Sequence, residues 1–354
     1  MKPPEIKYIP YDIKLNEPFL TSGGLIKSRK GFFIAISLSE NETALGEAAP
    51  LPEFGSESYS EAENALQSLP GLSRGKSVLF EPEVFQKKLE ALDAFPALRH
   101  GLEQAWLSYR ALNEKTSLDG LLNVKLKDKI QVNGLIGLLS PEEVLLRARV
   151  LFNEGFTTLK LKAGRDSFSL DKKSAGLLRE HFGSKISIRM DVNGKWSLPE
   201  ALKNIKELEE FSPEYIEQPV AGKEDFFRLV NESKVPLAAD EIIRSTGDAL
   251  EVLEKAPGAY LILKPMMLGG ITETLKIIKD AEASGIKTVI SSSFETSVGR
   301  SAAIFLAAAA SDVSIAHGLG TKGFLEGEPY CDPFEIKDGA ISVNGSKFNR
   351  FNLI

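Results

Sequence analysis

The chain has 354 residues, 43% hydrophobic and 26% charged, a composition that supports a large buried core and excludes a disordered chain. Its 43 basic and 49 acidic residues are interspersed and sum to a formal charge of −6, which leaves no basic stripe for nucleic acid and points to small-molecule partners. The single cysteine, Cys331, excludes a disulfide framework and a thiolate zinc site, and with neither a bilayer-length apolar run nor a leader-like apolar stretch after Met1, a cytoplasmic location with no membrane partner is expected.

Ile6 to Asn16 and Gly31 to Leu38 read as apolar strands separated by the flexible turn Thr21-Ser22-Gly23-Gly24. The stretch Gly46-Glu47-Ala48-Ala49-Pro50-Leu51-Pro52 is expected to break any regular element. Ser58 to Leu69 and Glu83 to Leu112 repeat apolar residues at helical spacing, and Pro96 and Gly101 are expected to split the second run. Strands followed by helices predict an α+β lobe over residues 1–127, ending in the charged linker Lys125 to Lys129.

From there strand and helix alternate. Strands are predicted near Ile130–Leu135, Thr158–Ala163, Ile186–Asp191, Tyr215–Glu217, Leu237–Asp240, Tyr260–Lys264, Thr288–Ser292 and Val313–Ala316. The first helix opens at Ser140-Pro141-Glu142-Glu143, where a capping serine, a first-turn proline and two acids suit the positive end of a helix. Such alternation predicts a β/α barrel over residues 128–323. The tail, 324–354, carries the turn pairs Asp338-Gly339 and Asn344-Gly345 and is expected to fold back on the N-terminal lobe. Nothing in the chain indicates its oligomeric state.

A polar residue closes most of these strands: Lys162, Asp191, Glu217, Asp240, Lys264 and Ser293, at intervals of 23 to 29 residues, about one β/α unit each. Barrel strands present their C-terminal ends to a common mouth, so these groups are expected to converge. Three unpaired carboxylates would repel one another, and an all-oxygen set favours a hard dication, Mg²⁺ with Mn²⁺ as the alternative. On its strand Lys160 shares a face with Lys162, and two crowded ammonium groups are expected to lower each other's pKa, as a lysine base requires. Taken alone, Lys160-Leu161-Lys162 also fits a solvated edge strand, and each acid a helix cap or an arginine partner. Lys264, in Leu261-Ile262-Leu263-Lys264-Pro265, would stand opposite Lys162, a layout suited to removing a proton next to a carboxylate.

Lys160-Leu161-Lys162, Arg189-Met190-Asp191-Val192-Asn193, Ile216-Glu217-Gln218-Pro219, Ala239-Asp240-Glu241 and Leu263-Lys264-Pro265 with Gly269-Gly270 together resemble the enolase superfamily, in the subgroup of muconate cycloisomerase. The likeness runs over nearly the whole chain. It implies a modified TIM-type (β/α)7β barrel with an N-terminal α+β capping domain completed by the C-terminal segment. Within the subgroup, Gly46 to Pro52, Ile290 to Gly299 and Gly318 to Thr321 resemble the o-succinylbenzoate synthase family, which dehydrates 2-succinyl-6-hydroxy-2,4-cyclohexadiene-1-carboxylate in menaquinone synthesis.

That resemblance implies Lys162 as the base, Lys264 as the group steadying the anion and Lys160 as the neighbour that lowers the pKa of Lys162. Asp191, Glu217 and Asp240 are the implied metal ligands, with Glu241 and Asn193 in support and Arg189 positioning Lys162 or a ligand. Ser292, Ser293 and the Gly318 backbone are implied to face a small-molecule carboxylate substrate. Thr21 to Gly24, with Lys27 and Arg29, falls where the superfamily has a mobile lid. Gln218 departs from the second glutamate many relatives carry.

The same lysine pair would serve a racemase of N-succinylamino acids or a dipeptide epimerase. Dipeptide epimerases usually carry Asp-x-Asp on the last strand, where this chain reads Ala316-His317-Gly318-Leu319-Gly320. A non-catalytic ligand-binding barrel is the reading from a different class, and the intact lysine pair argues against it. His317, Trp106 and Trp196 are read as packing residues.

Overall fold

The computed structural model describes residues 6–21, 24–39, 42–69, 82–343 and 348. The N-terminal lobe is an antiparallel sheet of β1 (Ile6–Thr21), β2 (Gly24–Ser39) and β3 (Glu42–Ala48), followed by α1 (Tyr59–Ser68), α2 (Pro82–Glu90), α3 (Pro96–Asn113) and α4 (Leu118–Leu122). Two expectations change here. Glu42 to Ala48 is a strand, and Gly101 lies inside α3 instead of dividing it. Both follow from one close approach: a Cβ on Gly46 would lie 2.1 Å from the Gly101 carbonyl oxygen, and a Cβ on Gly101 would lie 2.7 Å from the Ala48 nitrogen. The two glycines let helix backbone lie directly on strand backbone, around a core that includes Phe32, Ile34, Leu98 and Leu102.

The second body alternates β4 (Lys129–Val132), β5 (Gly134–Ile136), α5 (Pro141–Asn153), β6 (Thr158–Lys162), α6 (Phe168–Phe182), β7 (Ser187–Asp191), α7 (Leu198–Leu208), β8 (Tyr215–Glu217), α8 (Lys223–Glu232), β9 (Leu237–Ala239), α9 (Thr246–Lys255), β10 (Tyr260–Leu263), α10 (Ile271–Ala283), β11 (Thr288–Ile290), α11 (Ser297–Ala309) and β12 (Ala316–His317). Strands β5 to β11 pair in parallel, each with the next. The ring closes because β4 pairs in parallel with β12 and a parallel bridge joins Ser291 to Gly318. Strands β4 and β5 form one barrel strand bent at Asn133, whose N–H donates to the His317 carbonyl at 3.0 Å. This is the expected (β/α)7β barrel. The last strand starts at Ala316, not Val313, because the Asp312 carboxylate accepts the Ser314 N–H at 2.8 Å and holds a turn that leaves Val313 exposed.

The barrel interior has two storeys. Toward the N-terminal ends, Tyr215, Ala238, Tyr260, Ile262, Val289 and Ile315 form a buried plug. Two residues further along the same strand faces stand the polar side chains of the mouth, as period-two alternation requires.

After Gly323 the tail divides its contacts. Asn16 donates to Phe324 O at 2.8 Å and Glu326 to Lys14 O at 2.9 Å, so the first part lies on the capping sheet. Beyond it the tail departs from the expected docking on that lobe: β13 (Ile336–Lys337) and β14 (Ala340–Ser342) form a hairpin, and β14 pairs with β4 of the barrel. Phe334, Ile341 and Phe348 bury in the barrel core, which holds the hairpin there. The turn at Asn344-Gly345 lies outside the described residues. No described helix is long and apolar enough to cross a membrane.

Candidate active site

One cavity lies over the barrel mouth, lined by Lys160, Lys162, Asp191, Asn193, Asp240, Glu241 and Lys264, with Ser291, Ser292, Gly318 and Thr321 on the side of the last two strands. Register explains the convergence. Lys162 is paired with Asp191 across β6 and β7, Asp191 with Glu217 across β7 and β8, and Glu217 with Ala238, two residues before Asp240.

The Lys162 ammonium donates to Asp191 Oδ2 at 2.8 Å and to Asn193 Oδ1 at 2.7 Å. Asn193 donates in turn to Glu241 Oε1 at 2.7 Å, and a left-handed backbone (φ 51°) turns it into the site. Lys160 reaches Glu217 Oε1 at 2.5 Å and Asp191 Oδ2 at 2.9 Å, so both lysines of the pair converge on one carboxylate oxygen. Lys264 is ion-paired with Asp240 and stands 4.8 Å from the Phe54 ring centre, a cation–π contact from the capping lobe.

The electrostatics correct one expectation. Burial by itself would lower the Lys160 pKa, but Asp191 and Glu217 outweigh it and raise it well above the ordinary lysine value, so Lys160 is not a weakened amine. Lys264 is also raised, since burial is overcome by Asp240 and Glu241. Asp191 is held well below the usual carboxylate range: burial opposes the charge, and Lys160 and Lys162 more than offset it. Glu217 moves the other way, pushed up by full burial and then by Asp191.

Among the described residues no three acidic, histidine or cysteine side chains already form a metal cage. The chemistry of the donor set nevertheless fits a hard dication. Glu217 is fully buried and its Oε2 has no hydrogen-bond partner, an arrangement that costs free energy unless a cation supplies the partner. Asp191 and Glu217 already share one cation, the Lys160 ammonium, and four carboxylates here (Asp191, Glu217, Asp240, Glu241) face three lysines.

The remaining predicted residues divide. Ser292 lines the cavity, its Oγ accepting from Thr321 Oγ1 at 2.9 Å and from Phe294 N at 3.1 Å. Ser293 is buried and does not line it, whereas Ser291, not predicted, does. The strand ends at Ile290, two residues earlier than expected, and Ser291 continues the inward face of Val289 while Ser293 lies beyond the strand. Gly318 lines the cavity, but its N–H donates to Ile290 O at 2.8 Å and its carbonyl accepts from Ser292 N at 3.0 Å, so it contributes shape. A Cβ there would lie 2.8 Å from Ser291 Oγ.

Arg189 does not touch Lys162. It sits in the lower storey, donating to Glu214 Oε2 at 2.9 Å and to Ala316 O at 2.7 Å, 4.8 Å from the Tyr215 ring centre. Arg29 is likewise no lid residue: it is buried and donates to Ala49 O at 2.6 Å and Pro50 O at 2.9 Å. Ser22 and Gly23 of the expected lid lie outside the described residues. Gln218 is a brace, accepting from Asp240 N at 2.9 Å and donating to Val220 O at 2.8 Å.

Sequence reasoning missed the aromatic wall of the cavity. Phe54, Phe294 and Phe324 line the cavity, with ring centres of neighbours 6.3 and 6.0 Å apart, and Glu53 and Arg244 stand at its exposed rim. They come from four separate segments, and no spacing rule links them.

Residues 143–346 match the family model described as enolase C-terminal domain-like, and residues 5–107 match the MenC N-terminal domain. The chain belongs to the enolase superfamily, in the mandelate racemase/muconate lactonizing subgroup, and is an enzyme of its isomerase or dehydratase type. It is 34% identical over 219 residues to the o-succinylbenzoate synthase of Thermobifida fusca, covering 61% of this chain and 67% of that protein. It is 27% identical to the L-Ala-D/L-Glu epimerase of Bacillus subtilis, over 94% of this chain and 90% of that one. Among solved structures, the dipeptide epimerase of Enterococcus faecalis, complexed with Mg and L-Leu-L-Tyr, superposes with a TM-score of 0.85 at 25% identity, covering 98% of each chain.

Proposed function

We propose that the protein is an o-succinylbenzoate synthase: a cytoplasmic, Mg²⁺-dependent hydro-lyase that eliminates water from 2-succinyl-6-hydroxy-2,4-cyclohexadiene-1-carboxylate in menaquinone synthesis. The observation that carries this is the composition of the cavity. Lysines stand on two sides of a carboxylate-rich floor, beneath an aromatic wall, and no acid from residues 316–321 lines it to hold a substrate ammonium. The match to the MenC N-terminal domain supports the same reading.

Asp191, Glu217 and Asp240 would hold the Mg²⁺. When bound, the ion supplies charge against the substrate carboxylate and the anion that forms from it. Lys162 Nζ takes the proton from the carbon bearing the carboxylate. The resulting ammonium then protonates the hydroxyl that leaves on the same face, so the base is regenerated, water departs and the ring becomes aromatic. Lys264 keeps its proton and steadies the negative charge from the other side; its pairing with Asp240 favours that protonated state. Asn193 orients Lys162, and Phe54, Phe294 and Phe324 exclude water. Arg244, which makes no ion pair among the described residues, offers its guanidinium to the carboxylate at the end of the succinyl arm.

The second reading, epimerisation of N-succinylamino acids or dipeptides, is favoured by the opposed lysines, which could exchange a proton on two faces of one carbon. The assay is aromatisation of the cyclohexadiene followed by absorbance with Mg²⁺, beside α-proton exchange of N-succinylamino acids and dipeptides in D₂O. Turnover of the cyclohexadiene is expected. Exchange without aromatisation would transfer the protein to the epimerases.

A further inference from the structure

We infer that Glu47, in the capping lobe, is a positioning residue that sets the shape of the cavity wall between β11 and α11, 249 residues away in sequence. Glu47 is completely buried on β3. Its Oε1 accepts the Thr296 N–H at 3.0 Å and the Tyr11 hydroxyl, and its Oε2 accepts Thr296 Oγ1 at 2.5 Å and the Gly299 N–H at 2.7 Å. Every one of these partners donates. The carboxylate therefore serves as a helix cap delivered from another domain, and the first turn of α11 is seated on the capping sheet by it. Gln104 of α3 adds to the grip, accepting the Glu47 N–H at 3.1 Å and donating to Val298 O at 2.7 Å.

The short segment before that turn carries Ser291, Ser292 and Phe294, all of which line the cavity. Its near end is tied by the bridge from Ser291 to Gly318, and its far end by Glu47 at Thr296. With both ends held, the course of the wall follows from where the capping lobe sits. Gly299 belongs to the same device: a Cβ there would lie 2.8 Å from Glu295 Cγ and 3.0 Å from Glu47 Oε2, so only glycine leaves the carboxylate its place. The link also joins the stretches Gly46 to Pro52 and Ile290 to Gly299, which the sequence shows only as separate similarities. Ser292 N to Gly318 O and Arg300 Nε to Leu319 O bring the third, Gly318 to Thr321, to the same hub.

From the proposed function this inference takes only that the cavity holds the substrate. Glu47 touches no reacting atom, so its loss should raise KM and spare kcat. The control is Glu57, equally a buried helix cap, which accepts Ala97 N at 3.1 Å and Leu98 N at 2.7 Å wholly within the capping lobe. Full-length Glu47→Gln, Gly299→Ala and Glu57→Gln are compared with the wild type by steady-state kinetics on both substrates and by hydrogen–deuterium exchange of peptides spanning 290–300. Glu47→Gln turns an amide N–H toward donors and is expected to raise KM about 10-fold or more, with kcat within about 3-fold, as a buried donor loses its acceptor. Gly299→Ala should move KM the same way, and both should speed exchange at 290–300. Glu57→Gln should lower the melting temperature without moving KM. An unchanged KM in folded Glu47→Gln, or an equal rise in Glu57→Gln, overturns the inference. Should the wild type turn over neither substrate, the substrate reading falls alone, and exchange decides: protection lost in Glu47→Gln but kept in Glu57→Gln supports the inference, and protection unchanged overturns it.

Discussion

The Lys160 ammonium lies 2.5 Å from Glu217 Oε1, and the glutamate it meets is fully buried. The same ammonium touches Asp191 at 2.9 Å, so it neutralises two carboxylates that otherwise face each other across neighbouring strands. Removing one partner of such a buried arrangement costs about 3–5 kcal/mol. Lys160→Met is therefore expected to lower the unfolding free energy in urea by an amount in that range in the absence of divalent ions. An unchanged midpoint would show that the carboxylates find another partner.

A dication that binds the native carboxylates and not the unfolded chain stabilises by mass action, about 2.7 kcal/mol at 100 times its dissociation constant. Mg²⁺ should raise the melting temperature of the wild type and do so far less for Glu217→Gln. The measurement is a thermal melt across a Mg²⁺ titration, with Ca²⁺ as a comparison. Equal stabilisation of both proteins would place the ion elsewhere.

Glu103 of α3 is buried where the capping lobe meets the barrel, and its carboxylate accepts the Ile271 N–H at the start of α10. Burial pushes its pKa up to about 7, against the pull of that N–H and of Arg99 and with a small push from Glu273. The folded-state pKa thus lies above the unfolded one. The stability it contributes is fully present below about 4.5 and is lost as pH rises through about 7, on the order of 3 kcal/mol. Urea midpoints should fall between pH 5 and 8, and Glu103→Gln should flatten that slope in part, because Glu295 is also raised to about 7 by burial. A slope unaltered by Glu103→Gln would remove the residue from the account.

Much of this site was legible because a barrel imposes a period. Lys162, Asp191, Glu217, Asp240 and Lys264 follow from one polar residue per strand end, and their convergence needs only register and alternation. Of the predicted serines, Ser292 lines the cavity and Ser293 does not: the strand ends at Ile290, so the alternation that leaves Ser291 on the inward side stops before Ser293. Arg189 shares a strand face with Asp191, but it lies one storey lower, and depth in a barrel is not visible in spacing. The pKa of Lys160 was misjudged because the sequence shows a neighbouring lysine but not that two carboxylates lie closer. Glu47, Phe54 and Arg244 were not found as site residues, since their roles depend on how one domain docks on another.

Arg244 stands at the rim with its Nε donating to Glu241 O at 3.1 Å, and its methylenes lie against Gly55, where a Cβ would come within 3.1 Å of them. A guanidinium held in this way is suited to a substrate carboxylate. Arg244→Met should raise KM for substrates with a succinyl arm by about 10- to 100-fold, the worth of about 1.5–3 kcal/mol for a charge-assisted bond. Analogues lacking the distal carboxylate should be unaffected. Equal losses for both would assign Arg244 to the fold.

The central claim is that Lys162 removes the proton next to the substrate carboxylate. It is tested most directly by following aromatisation of 2-succinyl-6-hydroxy-2,4-cyclohexadiene-1-carboxylate with saturating Mg²⁺ by wild type and Lys162→Ala, with circular dichroism confirming that both are folded. The wild type should turn the substrate over, and Lys162→Ala should lose activity by at least about 10⁴-fold, the upper range for a general base. A folded Lys162→Ala that keeps wild-type turnover would contradict the mechanism at its first step.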